Sequence, residues 1–339
     1  MFRFGRKTEE AIGLDIGTSS IKIAAIKAVG ESNILTGYNI KKIPYVTNHQ
    51  IDLKDYIAQT FEEIDMHPAE VNLGVSGAGV IVRSVDFPKM NREQLGNALN
   101  FEAEKYIPFN IDEVVMDFVI MGDNAEGTKM NVLLAAVKRD LVDSRVKLME
   151  RLGISINIMD VDSLASFNAF QMSNQENNAE NAFFHFGYSQ TEVLISVGKW
   201  PAFIRQIQIG GKDIYAAVSK ELDAPPDKAE AMMAEPGMGK EKERIIKASA
   251  PVLEDIIRET QLSLGYFENR YNKSVADIYC SGGMVSNEFF MNYLSEKTGL
   301  VLKKWDPVAG VKLADHILME DLSRVGAQLT VGVGLALRG

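Results

Sequence analysis

The sequence predicts an α/β protein of two lobes with a duplicated core and a smaller unit inserted into the first lobe. Three observations carry this reading. Residues 13–23, Gly-Leu-Asp-Ile-Gly-Thr-Ser-Ser-Ile-Lys-Ile, read as strand, small hydroxylated turn, strand. Residues 183–193, Phe-Phe-His-Phe-Gly-Tyr-Ser-Gln-Thr-Glu-Val, lie over them without a gap, with Gly187 on Gly17, Ser189 on Ser19 and Val193 on Ile23. Repetition of such a unit implies two related halves facing one cleft. Third, a strand-like run through Tyr279 stops at Cys280-Ser281-Gly282-Gly283 ahead of a helical pattern over 288–298. That puts bare backbone at the carboxyl end of a sheet, where open α/β sheets bind ligands.

The first turn has the chemistry of a phosphate cradle. Ile21, Ile23 and Ala25 alternate with Lys22 and Ala24, the period of a half-buried strand. Gly17 admits close backbone approach, and Thr18, Ser19 and Ser20 offer N–H and O–H donors to phosphate oxygens. Asp15 closes the first strand, where a carboxylate suits a hydrated Mg²⁺ beside those phosphates. Many hairpins turn on Ser and Gly without binding anything, so the turn alone admits a purely structural reading. The second copy supports the cleft but carries His185 where Asp15 stands.

At 339 residues the chain is long enough for two lobes with their own cores. Its 46% hydrophobic and 24% charged residues are ordinary for a globular protein. A net charge of -10 argues against broad binding to nucleic acid or anionic lipid. Cys280 is the only cysteine, so no internal disulfide forms, and a small buried strand residue is the simpler reading of it than a nucleophile. No apolar run reaches the roughly 18 residues of a membrane span, and Met1-Phe2-Arg3-Phe4-Gly5-Arg6-Lys7 has no apolar core behind it. The expected location is cytoplasmic, with those first residues a solvated tail.

Ile34 to Ile43 reads as a further strand, followed by a helix from Asp52 to Met66 with Leu53, Ile57, Phe61 and Ile64 at helical spacing. Val71 to Val85 is strand-like, its glycines marking tight turns, and residues 85–153 form the inserted unit. There, Asn91 with Gln94 three residues on is a capping box for a helix ending before Pro108. Two alternating strands, 114–121 and 130–137, flank the turn residues 122–127, and a second helix carries Leu141, Val142, Val146, Met149 and Leu152 to a C-terminal Gly153. A strand over 154–161 delivers Asp160 and Asp162 to the next helix, where paired acids can orient a water or Asp162 can simply cap. Residues 173–181 are a polar loop into the second half. Beyond the repeat come a strand over 200–209, a helix over 212–222, a polar stretch over 223–242, and a long helix opened by Pro251. Gly210-Gly211 is not a P-loop, because Gln206 stands where its first glycine is required. Residues 328–337 are small and apolar, and the four histidines have no metal-ligand spacing.

Taken together, the Asp15-Ile16-Gly17-Thr18 turn, its repeat and the Ser281-Gly282-Gly283 turn resemble the three nucleotide-binding elements of the actin-like ATPase superfamily. Phe101-Glu102-Ala103-Glu104-Lys105-Tyr106-Ile107-Pro108-Phe109, Ser263-Leu264-Gly265-Tyr266-Phe267 and the ending Val333-Gly334-Leu335-Ala336-Leu337-Arg338 narrow the resemblance to the PilM family of type IV pilus assembly, related to the division protein FtsA. The resemblance implies an actin-like fold: subdomain 1A over 8–84, 154–180 and 315–339, an inserted 1C over 85–153, 2A over 181–212 and 274–314, and 2B over 213–273. It implies ATP or ADP with Mg²⁺ in the cleft, held by Gly17, Thr18, Ser19, Ser20, Lys22, Gly187, Ser189, Glu230, Gly282 and Gly283, with Asp15 at the metal through water. Asp15 and Asp162 are then the candidate catalytic acids. His185 in place of the second acid, and Met233 where relatives often have Lys, make efficient hydrolysis doubtful.

The same resemblance implies a partner, the N-terminal cytoplasmic peptide of PilN, in a groove between 1A and 1C. It implies no nucleic acid, a peripheral place at the inner membrane through partners, contact with the assembly ATPases and a homo-oligomeric ring. Two other readings compete: an FtsA-like filament former, disfavoured by an ending at Gly339 that leaves no tethering helix, and a small-molecule kinase, which would have to use Asp15 or Asp162 as its acid.

Overall fold

Elements of the first lobe and its insertion come first along the chain. They are β1 (Glu10–Ile16), β2 (Ser20–Val29), β3 (Ser32–Lys42), α1 (Leu53–Glu62), β4 (Glu70–Val75), β5 (Val80–Pro88), α2 (Arg92–Glu102), β6 (Val114–Asp123), β7 (Lys129–Lys138), α3 (Arg139–Leu152), β8 (Ser155–Val161) and α4 (Asp162–Ser173). The second half adds β9 (Asn181–Phe186), β10 (Thr191–Val197), β11 (Trp200–Ile207), α5 (Gly211–Leu222), α6 (Pro226–Ala234), α7 (Lys240–Tyr271), β12 (Asp277–Ser281), α8 (Glu288–Thr298), β13 (Leu302–Lys304), β14 (Lys312–Leu313), α9 (Met319–Val325) and α10 (Thr330–Ala336). This computed structural model describes residues 10–44, 52–124, 127–173, 179–234 and 239–338.

Three sheets result, ordered β14-β3-β2-β1-β4-β8, β11-β10-β9-β12-β13 and β5-β7-β6. The first two each begin with an antiparallel hairpin meander and continue into parallel strands, β1 onto β4 and β9 onto β12. This is the duplication that the two turns announce. Leu14, Ile21, Ile23, Ile57, Phe61 and Leu73 fill the space between the first sheet and its helices; each such side chain, once buried, contributes about 1.5–3 kcal/mol. Phe184, Phe186, Phe267 and Phe290 do the same in the second lobe. Between the lobes, Phe170, Phe183, Tyr279 and Trp305 form one aromatic cluster, with Phe183 and Trp305 edge to face at 5.1 Å.

The small apolar ending is a helix, α10, buried along its whole length. Its glycines let backbone meet backbone: a Cβ added at Gly13 of β1 would lie 2.0 Å from the Gly332 carbonyl oxygen. Side chains at these positions would push α10 off the sheet, which explains the run of Gly and Ala.

Local signals hold where chain chemistry is local. Asn91 accepts from the Gln94 N–H at 2.9 Å while Gln94 accepts from the Asn91 N–H at 3.1 Å, a complete capping box for α2. Gly153 ends α3 at φ 70°.

Longer-range features differ from the sequence reading. The inserted sheet begins at Val80 rather than at residue 85, because β5 pairs with β7 from Val80 to Pro88. The helix α3, expected inside the insertion, packs Met149 into the core of the six-stranded sheet. Lys312 and Leu313, expected in the second lobe, pair with β3 of the first. Pro251 does not open the long helix but lies inside it. The buried stripe of Ile245, Ser249, Leu253, Ile256 and Ile257 runs through the proline. Pro251 itself sits on the exposed face, where the carbonyl it leaves unpaired meets water. The first seven residues, and parts of the 122–127 turn, the 173–181 loop and the 223–242 stretch, lie outside the described residues.

Candidate functional site

The two turns are built alike. The Gly17 N–H donates to the Ser20 carbonyl at 3.1 Å, and the Gly187 N–H donates to the Gln190 carbonyl at 3.0 Å. In the first hairpin Asp15 on β1 and Lys22 on β2 are register partners, and Lys22 Nζ donates to Asp15 Oδ2 at 2.9 Å. In the second, His185 on β9 and Glu192 on β10 are register partners. Acid and base have exchanged strands between the copies.

Burial and neighbouring charge set the protonation of this cluster. Burial first, and then the Lys22 ammonium, hold the His185 imidazole down at about 4, so it is neutral near pH 7. Burial first, then the Asp162 and Asp15 carboxylates, push Glu192 up to about 8, against hydrogen bonds from Gln190 Nε2 at 3.0 Å and Gln206 Nε2 at 3.2 Å. Burial and Asp15 likewise raise Asp162 to about 7. The cleft floor therefore carries little net negative charge, a condition for admitting a polyphosphate.

Arg145 was not foreseen. It projects from α3, and its Nη2 lies 3.4 Å from the Ile16 carbonyl, at the mouth of the first turn. Its charge acts on Asp162 and Asp15. Among the described residues, Arg145 Nε and Asp162 Oδ1 are buried without a hydrogen-bond partner, and the N–H groups of Thr18, Ser19 and Ser189 have no acceptor among the turn hydrogen bonds. Unmet buried groups of both signs at a turn with open amides fit a phosphate and a hydrated cation. Lys22 engages Asp15 Oδ2, and Asp162 Oδ1 is packed against β4, where a Cβ on Gly74 would lie 2.3 Å from it. No group of three or more His, Cys, Asp or Glu among the described residues is arranged to hold a metal directly.

Ser281 and Gly282 join the same floor from β12. His185 Nδ1 is 2.9 Å from Ser281 Oγ. Gly282 adopts φ 95°, and a Cβ on it would lie 2.4 Å from the Phe186 carbonyl oxygen, whereas Gly283 has open space. Glu230 on α6 stands at the cleft mouth, where Lys42 Nζ from the end of β3 reaches its Oε1 at 2.9 Å, a link between the lobes. Asp160 does not pair with Asp162 as expected: its Oδ2 lies 2.9 Å from Arg338 Nε. Cys280 is buried, which pushes its thiol up to about 12 and removes any nucleophilic role.

Two signals for the missed residues were present. Glu192 falls on Lys22 in the ungapped overlay. Arg145 interrupts the apolar stripe of α3 one turn from Leu141 and Met149, a charge placed where packing calls for a hydrocarbon.

A second feature lies on the insertion. β6 is an outer strand of the three-stranded sheet and β8 an outer strand of the six-stranded one. Met121 of β6 and Met159 of β8 pack on one apolar cluster, and the Asp117 charge acts on Asp160, so the two edges lie side by side. Val115 and Val119 of β6 are 42% and 45% exposed, with Asp117 between them. No helix among the described residues is long and apolar enough to cross a membrane.

Comparison with known proteins places these features. The model of the family described as type IV pilus assembly protein PilM matches residues 13–339. The solved PilM-PilN type IV pilus biogenesis complex is similar at 25% identity and TM-score 0.85, covering 98% of this chain and 99% of that one. The ethanolamine utilization protein EutJ from Carboxydothermus hydrogenoformans aligns at 12% identity and TM-score 0.55 over 98% of this chain and 91% of its own. MreB 5 of Spiroplasma citri, bound to AMPPNP, aligns at 12% identity and TM-score 0.53 over 97% and 95%. The last two likenesses concern the fold, which is the actin-like one.

Proposed function

The chain belongs to the PilM family of type IV pilus assembly proteins, and from that premise we propose that it is a nucleotide-responsive scaffold for a PilN-type partner. It holds ATP or ADP with hydrated Mg²⁺ between its two turns, and it takes the N-terminal cytoplasmic peptide of PilN in the groove between β6 and β8. The partner comes from the complex in which the similar PilM was solved. Nucleotide binding rests on the residues themselves.

The observation that carries the peptide site is the free β6 edge beside β8. Its outer face alternates Val115, Asp117 and Val119, the pattern that an added strand reads through main-chain hydrogen bonds and side-chain contacts. In the cleft, the amides of Thr18, Ser19 and Ser189 cradle phosphate oxygens, Lys22 and Arg145 supply positive charge, and Glu230 with Gly282 and Gly283 flanks the nucleoside. Bound Mg²⁺ would neutralise phosphate charge and polarise the bond to the terminal phosphoryl group. Asp15 and Asp162 are the acids available to orient a water, and His185, neutral at pH 7, cannot act as a second carboxylate. Turnover is accordingly slow, and the nucleotide acts as a ligand. Anchored through its partner, the scaffold is peripheral to the inner membrane.

Calorimetric titration with the PilN N-terminal peptide tests this. Binding is expected, and Val119→Asp should weaken it at least tenfold while leaving the thermal melt within about 1 °C, since the side chain is exposed. Absence of binding by the folded wild-type chain refutes the scaffold reading. Separately, failure to bind a fluorescent ATP analogue refutes the nucleotide reading.

A further inference from the structure

On the opposite edge of the inserted sheet, β5 faces β11 of the second lobe, and between them and α7 lies a cavity of about 1220 Å³. Two segments that the nucleotide and peptide sites do not use meet here. Lys105 and Tyr106 come from the Glu-Ala-Glu-Lys-Tyr-Ile-Pro-Phe run after α2, and Gly265 and Tyr266 come from Leu-Gly-Tyr-Phe on α7. The chain carries a net charge of -10, yet the lining holds Arg83, Lys105, Arg205, Arg258 and Arg270 with Asp86 as its one carboxylate.

Neighbouring acids satisfy part of that charge. Arg205 pairs with Glu259, Arg258 lies 2.9 Å from Asp255, and Lys105 lies 3.5 Å from Glu102. Among the described residues, neither Arg83 on β5 nor Arg270 on α7 has a carboxylate within ion-pair distance. Arg270 donates to the Tyr266 hydroxyl at 3.2 Å and stacks over Tyr271, which fixes its guanidinium fork, and the Asp86 carboxylate acts on it only from beyond ion-pair distance. Apolar surface adjoins these forks: Leu262 is 55% and Tyr266 51% exposed, with Gly265 leaving a gap between them.

We propose that this cavity is a second docking groove, which takes an extended acidic segment of a partner protein carrying an apolar or aromatic anchor. The carboxylates meet Arg83 and Arg270, and the anchor lies against Leu262 and Tyr266. Three arguments select this occupant. Fixed guanidinium forks recognise planar carboxylates bidentately. The volume exceeds the roughly 300–1,000 Å³ of small-molecule pockets, which favours a polymer segment. Like charge on the body of this protein, at -10, disfavours a second copy of the chain.

The test uses the full chain and fluorescence anisotropy with two labelled pools of ten-residue peptides. One alternates Asp or Glu with Leu, Phe or Trp, and the other alternates Lys or Arg with the same apolar set. Expected is binding of the acidic pool, weakened severalfold between 50 and 200 mM salt as the carboxylate–guanidinium pairs are screened. Arg83→Glu and, independently, Leu262→Ser should each lower the affinity at least tenfold with the melt unchanged. Both side chains are exposed, so either variant is expected to fold. Affinity for the PilN peptide should be unaffected. Equal binding of both pools, binding of neither, tighter binding of duplex DNA, or sedimentation showing self-association abolished by Arg83→Glu would each overturn the proposal.

Discussion

Glu192→Gln probes the protonation of the cleft floor most directly. Glu192 is buried at 3% exposure, and its folded-state value of about 8 stands well above the usual 4.5. The acid's raised value means that the folded state holds a proton that the unfolded chain releases. Folding is thus penalised progressively as pH rises from 4.5 to about 8, with no penalty below 4.5. At about 1.4 kcal/mol per pKa unit, the full penalty is on the order of 5 kcal/mol above pH 8. A glutamine cannot titrate, and its carbonyl still accepts from Gln190 and Gln206. Thermal or urea unfolding of both proteins between pH 5 and pH 9 should show near-equal stability at pH 5 and a variant more stable by a few kcal/mol at pH 8.5. Asp162 titrates in both proteins, so the difference between the curves reports Glu192 together with its coupling to Asp162. Parallel curves across this range would refute the assignment of a buried, protonated Glu192.

Other expectations concern the remaining parts of the site. Gly282→Ala should destabilise by about 2 kcal/mol or more in urea unfolding, from positive φ and a backbone clash at 2.4 Å, while Gly283→Ala, with open space, should cost under about 1 kcal/mol; equal effects would contradict the described turn. Arg145→Gln should weaken a fluorescent ATP analogue at least tenfold and its ADP counterpart less, because the guanidinium faces the end of the first turn; equal losses would mean that Arg145 does not meet the terminal phosphate. His185→Asp should raise Mg²⁺-dependent ATP hydrolysis by restoring a carboxylate where β9 ends; unchanged turnover in a folded variant would show that the missing acid is not limiting.

What the sequence made legible follows from range. The hairpin turns, the capping box at Asn91 and the Gly153 helix end are written within four or five residues, and each appears where its local chemistry puts it. The ungapped repeat revealed the two lobes because duplicated turns keep their spacing. Pro251 misled because a proline at an exposed helical position looks like a start, although a stripe of buried residues continues on both sides. Asp160 looked like a partner of Asp162, but β8 ends at Val161 and Asp162 already opens α4, so the strand's alternation does not carry across to it, and the charge beside Asp160 is Arg338, 178 positions away. The stripe of α3 marks Arg145 as out of place, but where it goes, like the basic groove, depends on helices and strands brought together by the fold, and spacing along the chain carries no record of that.

The three-stranded insertion has only one inner strand. β7 pairs on one side with β6 and on the other with β5, and it continues without a linker into α3, which carries Arg145 to the first turn. At about 4.8 Å per strand gap, the two outer edges lie roughly 10 Å apart. A segment added at one edge and another seated at the opposite edge would therefore act on the same strand, and that strand is the stem of the helix that brings Arg145 to the first turn. If the proposed ligands bind, the ten residues of β7 are the stretch of chain that their sites have in common.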